Sequence, residues 1–127
     1  MFKLSVNSLN RLKNVEPKLV AVAVRALQLT PIDFGVTCGI RTVEEQQKLY
    51  NEGKSKTLNS KHLPGKRGLA EAIDVAAYID GKLTWHYPEY EKIAVAFKQA
   101  AKELNVSIKW GGDWVSFKDG VHFQLEA

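Results

Sequence analysis

Apolar residues recur at helical spacing in three stretches of the chain. The first follows Ser8, which is expected to cap a short helix, and the second begins at Pro17, which suits a first helical turn. The third covers 89–104, where apolar side chains form one stripe and lysines lie outside it. A further helix is predicted to begin after Thr42, because Glu45 completes a capping box. The pattern therefore predicts four helices.

Alternating or continuous apolar runs predict strands between these helices. The runs cover residues 34–40, 70–79, 83–85, 108–110 and 121–125. Asp80 and Gly81 form a strong hairpin-turn signal after the second run. The order of the elements favours an α+β fold, with a small antiparallel sheet flanked by helices in a single domain of residues 1–127.

Composition and charge narrow the class of protein. The chain is 45% hydrophobic and 25% charged, which is typical of a globular domain with its own core. The longest apolar run, 19–24, is too short to cross a membrane, and the first ten residues lack the apolar segment of a secretory signal. A net charge of +4 favours an anionic partner, but the basic stretch 54–67 lacks the interleaved aromatics of a nucleic-acid surface. Cys38, in an apolar run, is expected to be a buried and inert thiol.

Two histidines and one aspartate are candidates for a metal site. Asp74 interrupts an apolar strand, and a buried carboxylate requires a cation. His122 alternates with apolar residues on the last strand, so its side chain is expected to face a cleft, and His62 lies on the long loop 54–69. Two imidazoles and one carboxylate match catalytic zinc sites that keep a position open for water. The alternative is that these are ordinary satisfied side chains.

Three further residues are candidates for catalysis or substrate binding. Asp119 precedes His122 by three positions, and a turn or bulge at Gly120 would bring its carboxylate beside the metal. There it would act as general base toward zinc-bound water and then as acid to the leaving amine. Arg41, at a strand end, is suited to steady a carboxylate or a developing oxyanion. Trp110 is expected either in the core or lining the substrate groove.

These residues resemble those of the VanY-type D-alanyl-D-alanine carboxypeptidase and L-alanyl-D-glutamate endopeptidase family, zinc peptidases that cut the peptide stems of peptidoglycan. The family motif Ser-x-His-x-x-Gly-x-Ala-x-Asp and its later acid and histidine are matched by Ser60, His62, Gly68, Ala70 or Ala72, Asp74, Asp119 and His122. Segment 38–53 is similar to the family's Gly-x-Arg-Ser/Thr segment and following helix. The interval between His62 and Asp74 is longer than in the family, with 64–67 as the extra residues, which a loop tolerates.

The resemblance implies one zinc ion per chain, with the ligands His62, Asp74 and His122. It implies that Asp119 is the catalytic acid and base and that Arg41 positions the substrate or the transition state. Ser60 is implied as a substrate contact. Trp110, from its position near the predicted cleft, is the second residue predicted to contact the substrate.

Within this family the chain looks like a phage or prophage endolysin. The resemblance implies a monomeric L-alanyl-D-glutamate endopeptidase that waits in the host cytoplasm until a holin opens the membrane and then attacks peptidoglycan. No nucleic-acid partner and no stable membrane insertion are expected. The alternatives are a D-alanyl-D-alanine carboxypeptidase, a catalytically silent zinc-binding interaction module and a small basic nucleic-acid binder. Asp119 favours an enzyme, because a silent module has no need of a base beside the metal.

Overall fold

A computed structural model describes residues 2–55, 57, 60–65, 67–115 and 118–126. The described helices are α1 (Val6–Arg11), α2 (Pro17–Leu29), α3 (Val43–Asn51) and α4 (Tyr87–Leu104). The strands are β1 (Asp33–Cys38), β2 (Ala72–Ile79), β3 (Lys82–Thr84), β4 (Ile108–Trp110) and β5 (His122–Leu125). The predicted combination of helices with a small antiparallel sheet is therefore confirmed.

Strand β2 occupies the centre of the sheet. The strand order is β1-β2-β5-β4, with β3 paired to β2, and all pairs are antiparallel. Asp74 on β2 is opposite Cys38 of β1 and His122 of β5. The register of the sheet therefore brings an aspartate, a cysteine and a histidine into one row.

Local sequence signals account for several of the element boundaries. The capping box is present at α3, where the amide of Thr42 donates to Glu45 Oε1 at 2.8 Å and the amide of Glu45 donates to Thr42 Oγ1 at 3.1 Å. Helix α2 begins at Pro17 as predicted. Asp80 and Gly81 both have positive φ, of 50° and 77°, which is the conformation of a two-residue hairpin turn.

The first helix begins three residues earlier than predicted. Ser5, rather than Ser8, is its N-cap, and the Ser5 Oγ accepts the amide of Ser8 at 3.1 Å. Ser8 is buried within α1, where its Oγ accepts the amide of Val36 on β1 at 2.9 Å. The prediction of a Ser8 cap was wrong because this hydroxyl satisfies a strand amide instead.

The core lies between one face of the sheet and the pair α2 and α4. Phe97 of α4 stacks on Phe123 of β5 with ring centroids 3.9 Å apart. Since side chains alternate along a strand, burying Phe123 turns His122 to the opposite face. Leu104, the last residue of the predicted amphipathic stretch 89–104, is exposed at the end of α4.

The long predicted loop 54–69 contributes to that opposite face. Its residues 56, 58, 59 and 66 lie outside the described part of the chain, and the others form no helix or strand. Among the described residues, no helix combines the length and the apolar character needed to cross a membrane.

The Ser8 contact predicts a measurable contribution to stability. Ser8→Ala should lower the free energy of unfolding by about 1–3 kcal/mol, because the buried amide of Val36 would lose its acceptor. Urea unfolding measures the effect. Asn10→Ala, at an exposed position of the same helix, is the matched control and should change stability by less than about 0.5 kcal/mol. Equal effects of the two substitutions would contradict the role given to Ser8.

Candidate metal centre and cleft

Asp74 lies between two buried imidazoles. Nε2 of His62 and Nδ1 of His122 are each 3.2 Å from the same carboxylate oxygen, Oδ1 of Asp74. His62 is 2% exposed and His122 is 7% exposed, and their rings meet edge to face with centroids 5.1 Å apart. The structure therefore brings together the three residues that the sequence singled out as metal ligands.

The remaining ring nitrogens are held by hydrogen bonds on the far side of each imidazole. Nδ1 of His62 donates to the carbonyl of Gly39 at 2.8 Å, and Nε2 of His122 donates to Oε1 of Gln124 at 2.8 Å. A hydrogen bond of this kind fixes both the tautomer and the orientation of a metal-binding histidine. When the rings are neutral, it leaves Nε2 of His62 and Nδ1 of His122 as the nitrogens whose lone pairs face Asp74.

Two glycines allow the backbone to approach closely around this site. A Cβ at Gly39 would overlap the carbonyl of Arg11, so a larger residue would displace the carbonyl that His62 uses. A Cβ at Gly111 would overlap the carbonyl of Asp119. Both positions therefore require glycine for steric reasons.

Asp119 lies on the turn that leads into β5. Its amide donates to the carbonyl of Gly111 at 3.0 Å, and its own carbonyl accepts the amide of His122 at 3.2 Å. Ligand atoms of Asp119, Asp74 and His122 all lie within 4.8 Å of one another. Burial raises the pKa of the Asp119 carboxyl, and the negative charge of Asp74 raises it further. Asp119 is therefore a partly buried carboxyl group beside Asp74 and His122 whose pKa lies above that of a solvated aspartate.

Arg41 contacts the same carboxylate from the other side. Its Nη2 lies 3.7 Å from Oδ2 of Asp74, and its amide donates to the carbonyl of His62 at 2.8 Å. Nη1 donates to Oε1 of Gln46 at 2.7 Å. The guanidinium is thus held in place on the cleft wall by α3.

Gln46 is a site residue whose role the sequence reasoning missed. It is 1% exposed, and its Nε2 donates to Oγ of Ser55 at 2.8 Å and to the carbonyl of Thr57 at 2.6 Å. Together with the bond from Arg41, these contacts tie α3 to the loop that borders the cleft. One sequence signal could have identified this role: Gln46 lies on the face of α3 that packs against the protein, where a polar side chain needs hydrogen-bond partners.

Cys38 belongs to the site rather than to the core. Its Sγ lies 3.4 Å from Nη2 of Arg41 and 3.7 Å from Nδ1 of His62, at a register shift in β1. Burial alone would raise the pKa of the thiol, but the hydrogen bond with His62 and the charges of His62 and Arg41 outweigh it and lower the pKa. The expectation of a buried thiol was wrong, because Cys38 is only partly buried. Cys38, His62 and Asp74 also form a group with metal-ligand spacing, which shares Asp74 with the group around Asp119.

The two histidines, the two aspartates and Arg41 open onto a cleft of about 610 Å³. Ser60 lines it, and the Ser60 Oγ also accepts the amide of His62 at 3.1 Å. Trp110 does not line it: this side chain is 6% exposed, and its Nε1 donates to the carbonyl of Gly120 at 2.8 Å. Trp114 lines the cleft instead, with its ring 5.1 Å from that of His122. The prediction that Trp110 lines the groove was therefore wrong. Its indole is buried and supports the turn that contains Asp119 and Gly120.

Asp74 and His62 form an ion pair when no metal is bound. Burial alone would raise the pKa of Asp74, but hydrogen bonds from His122 and His62 outweigh it and hold that pKa below its usual range. Burial alone would lower the pKa of His62, but its partners Asp74 and Cys38 raise that pKa to about 10. Both shifts describe one charged pair, whose proton a metal would have to displace.

The Gln46 contacts predict that α3 and the cleft loop are energetically coupled. Gln46→Leu should lower the free energy of unfolding by about 1–3 kcal/mol, because Arg41, Ser55 and Thr57 each lose a partner. Denaturant unfolding provides the measurement. Gln47→Leu changes the neighbouring exposed glutamine, whose side chain bonds Asn51, and should cost less than about 0.5 kcal/mol. If Gln46→Leu were as mild as this control, the coupling would be absent.

The ion pair predicts how the stability of the metal-free protein depends on pH. The pKa of His62 is raised from about 6.5 in the unfolded chain to about 10 in the fold. Its stabilisation should therefore be complete below about pH 6.5 and be lost as the pH rises through about 10. Urea unfolding of chelator-treated wild type and His62→Asn across this window isolates the contribution of this histidine. A stability difference between the two proteins that stays constant across the window would contradict the charged pair.

Comparisons with known proteins agree on one family. Residues 1–124 match the family model described as phage L-alanyl-D-glutamate peptidase. The chain is 41% identical over 117 residues to the L-alanyl-D-glutamate peptidase of Escherichia phage T5, covering 89% of this chain and 82% of that protein.

Two solved structures share the fold. The L-Ala D-Glu endopeptidase ChiX of Serratia marcescens matches with a TM-score of 0.88 and 37% identity, covering 98% of this chain and 90% of that chain. The vancomycin-resistance D,D-dipeptidase VanXYg matches with a TM-score of 0.52 and 14% identity, covering 87% of this chain and 50% of that chain. The second match supports the fold alone.

Proposed function

Because the chain belongs to the phage L-alanyl-D-glutamate peptidase family, we propose that it hydrolyses the L-alanyl-D-glutamate bond in the peptide stems of peptidoglycan. The protein is a peptidoglycan peptidase. One observation carries the proposed chemistry: one oxygen of a half-buried aspartate lies 3.2 Å from a nitrogen of each of two oriented histidines, on the wall of a cleft that also holds a second carboxyl group.

The donor set fits a zinc ion. We assign as its ligands Nε2 of His62, the carboxylate of Asp74 and Nδ1 of His122, since each nitrogen faces the carboxylate and each ring is fixed from behind. When bound there, zinc would polarise the scissile carbonyl and lower the pKa of a water molecule. Cys38 is not assigned as a ligand, because it lies beside Nδ1 of His62, the nitrogen that bonds Gly39.

Asp119 is assigned the proton transfers. Its carboxylate would accept a proton from the attacking water and return it to the nitrogen of the leaving D-glutamate, and the raised pKa of Asp119 suits both steps. Arg41 would stabilise the negative charge that develops on the carbonyl oxygen, from the position in which Gln46 holds it. Ser60 and Trp114, both on the cleft wall, are assigned to substrate contact.

The biological setting proposed is that of an endolysin. A monomeric enzyme made in the host cytoplasm would reach peptidoglycan once a holin had opened the membrane, and its net charge of +4 would favour the anionic envelope. The phage origin of the T5 relative supports this setting.

The bond that is cut can be tested directly. Purified peptidoglycan should be digested with and without chelation of the enzyme, and the released muropeptides analysed by mass spectrometry. New amino-terminal D-glutamate, lost on chelation and restored by zinc, is the expected result. Loss of terminal D-alanine instead would show a carboxypeptidase, and intact stems with a metal-loaded protein would indicate a silent binding module.

The assignment of Asp119 predicts a separation between metal binding and turnover. Asp119→Asn should retain about one zinc per chain but lower kcat/KM about 100-fold or more, because the proton acceptor is lost. Metal analysis and a turbidity assay on cell walls measure the two properties. Asp113→Asn, at an exposed aspartate paired with Lys98 at 2.7 Å, is the matched control and should keep wild-type turnover. An Asp119→Asn variant that lyses walls normally would refute the mechanism.

A further inference from the structure

In the described part of the chain, one lysine on the cleft wall has neither a role in the chemistry described above nor a charged or hydrogen-bonded partner. Among the residues that the structure describes, four basic side chains other than histidine line the cleft: Arg41, Lys54, Lys61 and Lys118. The guanidinium of Arg41 is bonded within the site. Lys54 is paired with Glu52 at 3.4 Å, and Lys61 is paired with Glu71 at 3.4 Å. Lys118 is exposed and makes no hydrogen bond or ion pair with any residue that the structure describes.

Lys118 lies near the position proposed for the leaving group, the D-glutamate side of the scissile bond. It immediately precedes Asp119, so their Cα atoms are about 3.8 Å apart, and both side chains line the same cleft. This inference rests on the proposed function, in which Asp119 delivers a proton to the nitrogen of the D-glutamate. A group bound by Lys118 must therefore lie close to that nitrogen.

The substrate has an anion in that place. The D-glutamate of a stem peptide is joined onward through its side-chain carboxyl, which leaves its α-carboxylate free. That carboxylate is two bonds from the scissile nitrogen. In an ordinary peptide the corresponding carboxyl is consumed by the next peptide bond, and in D-isoglutamine it is a neutral amide.

We propose that Lys118 binds the free α-carboxylate of the residue after the scissile bond and thereby makes this carboxylate a requirement for efficient cleavage. The exposed ammonium is a compact charge on a flexible stem, so it can follow the substrate into the cleft. An exposed ion pair is weak, but the bound peptide would exclude water from this one and strengthen it. An enzyme with this contact would cleave stems that contain D-glutamate in preference to stems that contain D-isoglutamine.

The test uses two synthetic stem peptides that differ only in D-glutamate or D-isoglutamine after L-alanine. Wild type should cleave the carboxylate peptide with a kcat/KM about tenfold higher, the size expected for a hydrogen bond to a charged group. Lys118→Met should lower kcat/KM about tenfold on the carboxylate peptide and leave the amide peptide within about twofold. Lys118→Arg should restore most of the preference, because it restores the charge.

Lys102→Met supplies the matched control, since Lys102 is an exposed lysine on α4, which packs on the opposite face of the sheet. It should not change either rate. Equal losses on both peptides in Lys118→Met, or a carboxylate preference that survives the substitution, would overturn the inference while leaving the proposed function intact. Wild type that cleaves neither peptide would overturn the proposed function and the inference with it.

Discussion

The structure depends on one half-buried carboxylate in the middle of a sheet. Asp74 lies on the central strand with apolar neighbours before and after it, and a charge in such a place must be neutralised by partners. Those partners come from three directions: His122 from the adjacent strand, His62 from the long loop and Arg41 from the end of β1. The arrangement of the cleft follows from satisfying this single group.

The rest of the fold holds those partners in position. The stack of Phe97 on Phe123 anchors β5 to α4, and strand alternation then directs His122 to the cleft. The capped helix α3 presents Gln46, which fixes Arg41. Close backbone approach at Gly39 and Gly111 sets the carbonyl behind His62 and the turn of Asp119. Rigid elements therefore support a site whose candidate catalytic groups lie partly on loops.

The sequence predicted the features that depend on local chemistry. The capping box at Thr42, the Asp80–Gly81 turn and the amphipathic α4 are each specified by residues close together in the chain, and each is present. The candidate ligands were found because a lone charge in an apolar strand and a histidine on an alternating strand are unusual patterns. Their spacing also resembled a family motif, and the family is confirmed.

The features that the sequence did not predict depend on contacts between distant segments. Ser8 has the local pattern of a helix cap, but its hydroxyl bonds the amide of Val36 on β1, 28 positions away in the chain. Cys38 enters the site because a register shift interrupts β1, and no local pattern marks such a shift. Trp110 and Trp114 have similar neighbours in sequence, but only the packing against Phe123 decides which of them enters the core.

The central claim is that His62, Asp74 and His122 bind one zinc ion. Anomalous diffraction from zinc-loaded crystals, measured on both sides of the zinc absorption edge, tests it most directly. The account predicts a single strong peak bonded to Nε2 of His62, Nδ1 of His122 and the carboxylate of Asp74. A peak bonded to Cys38 in place of His122, or no peak beside Asp74, would contradict it.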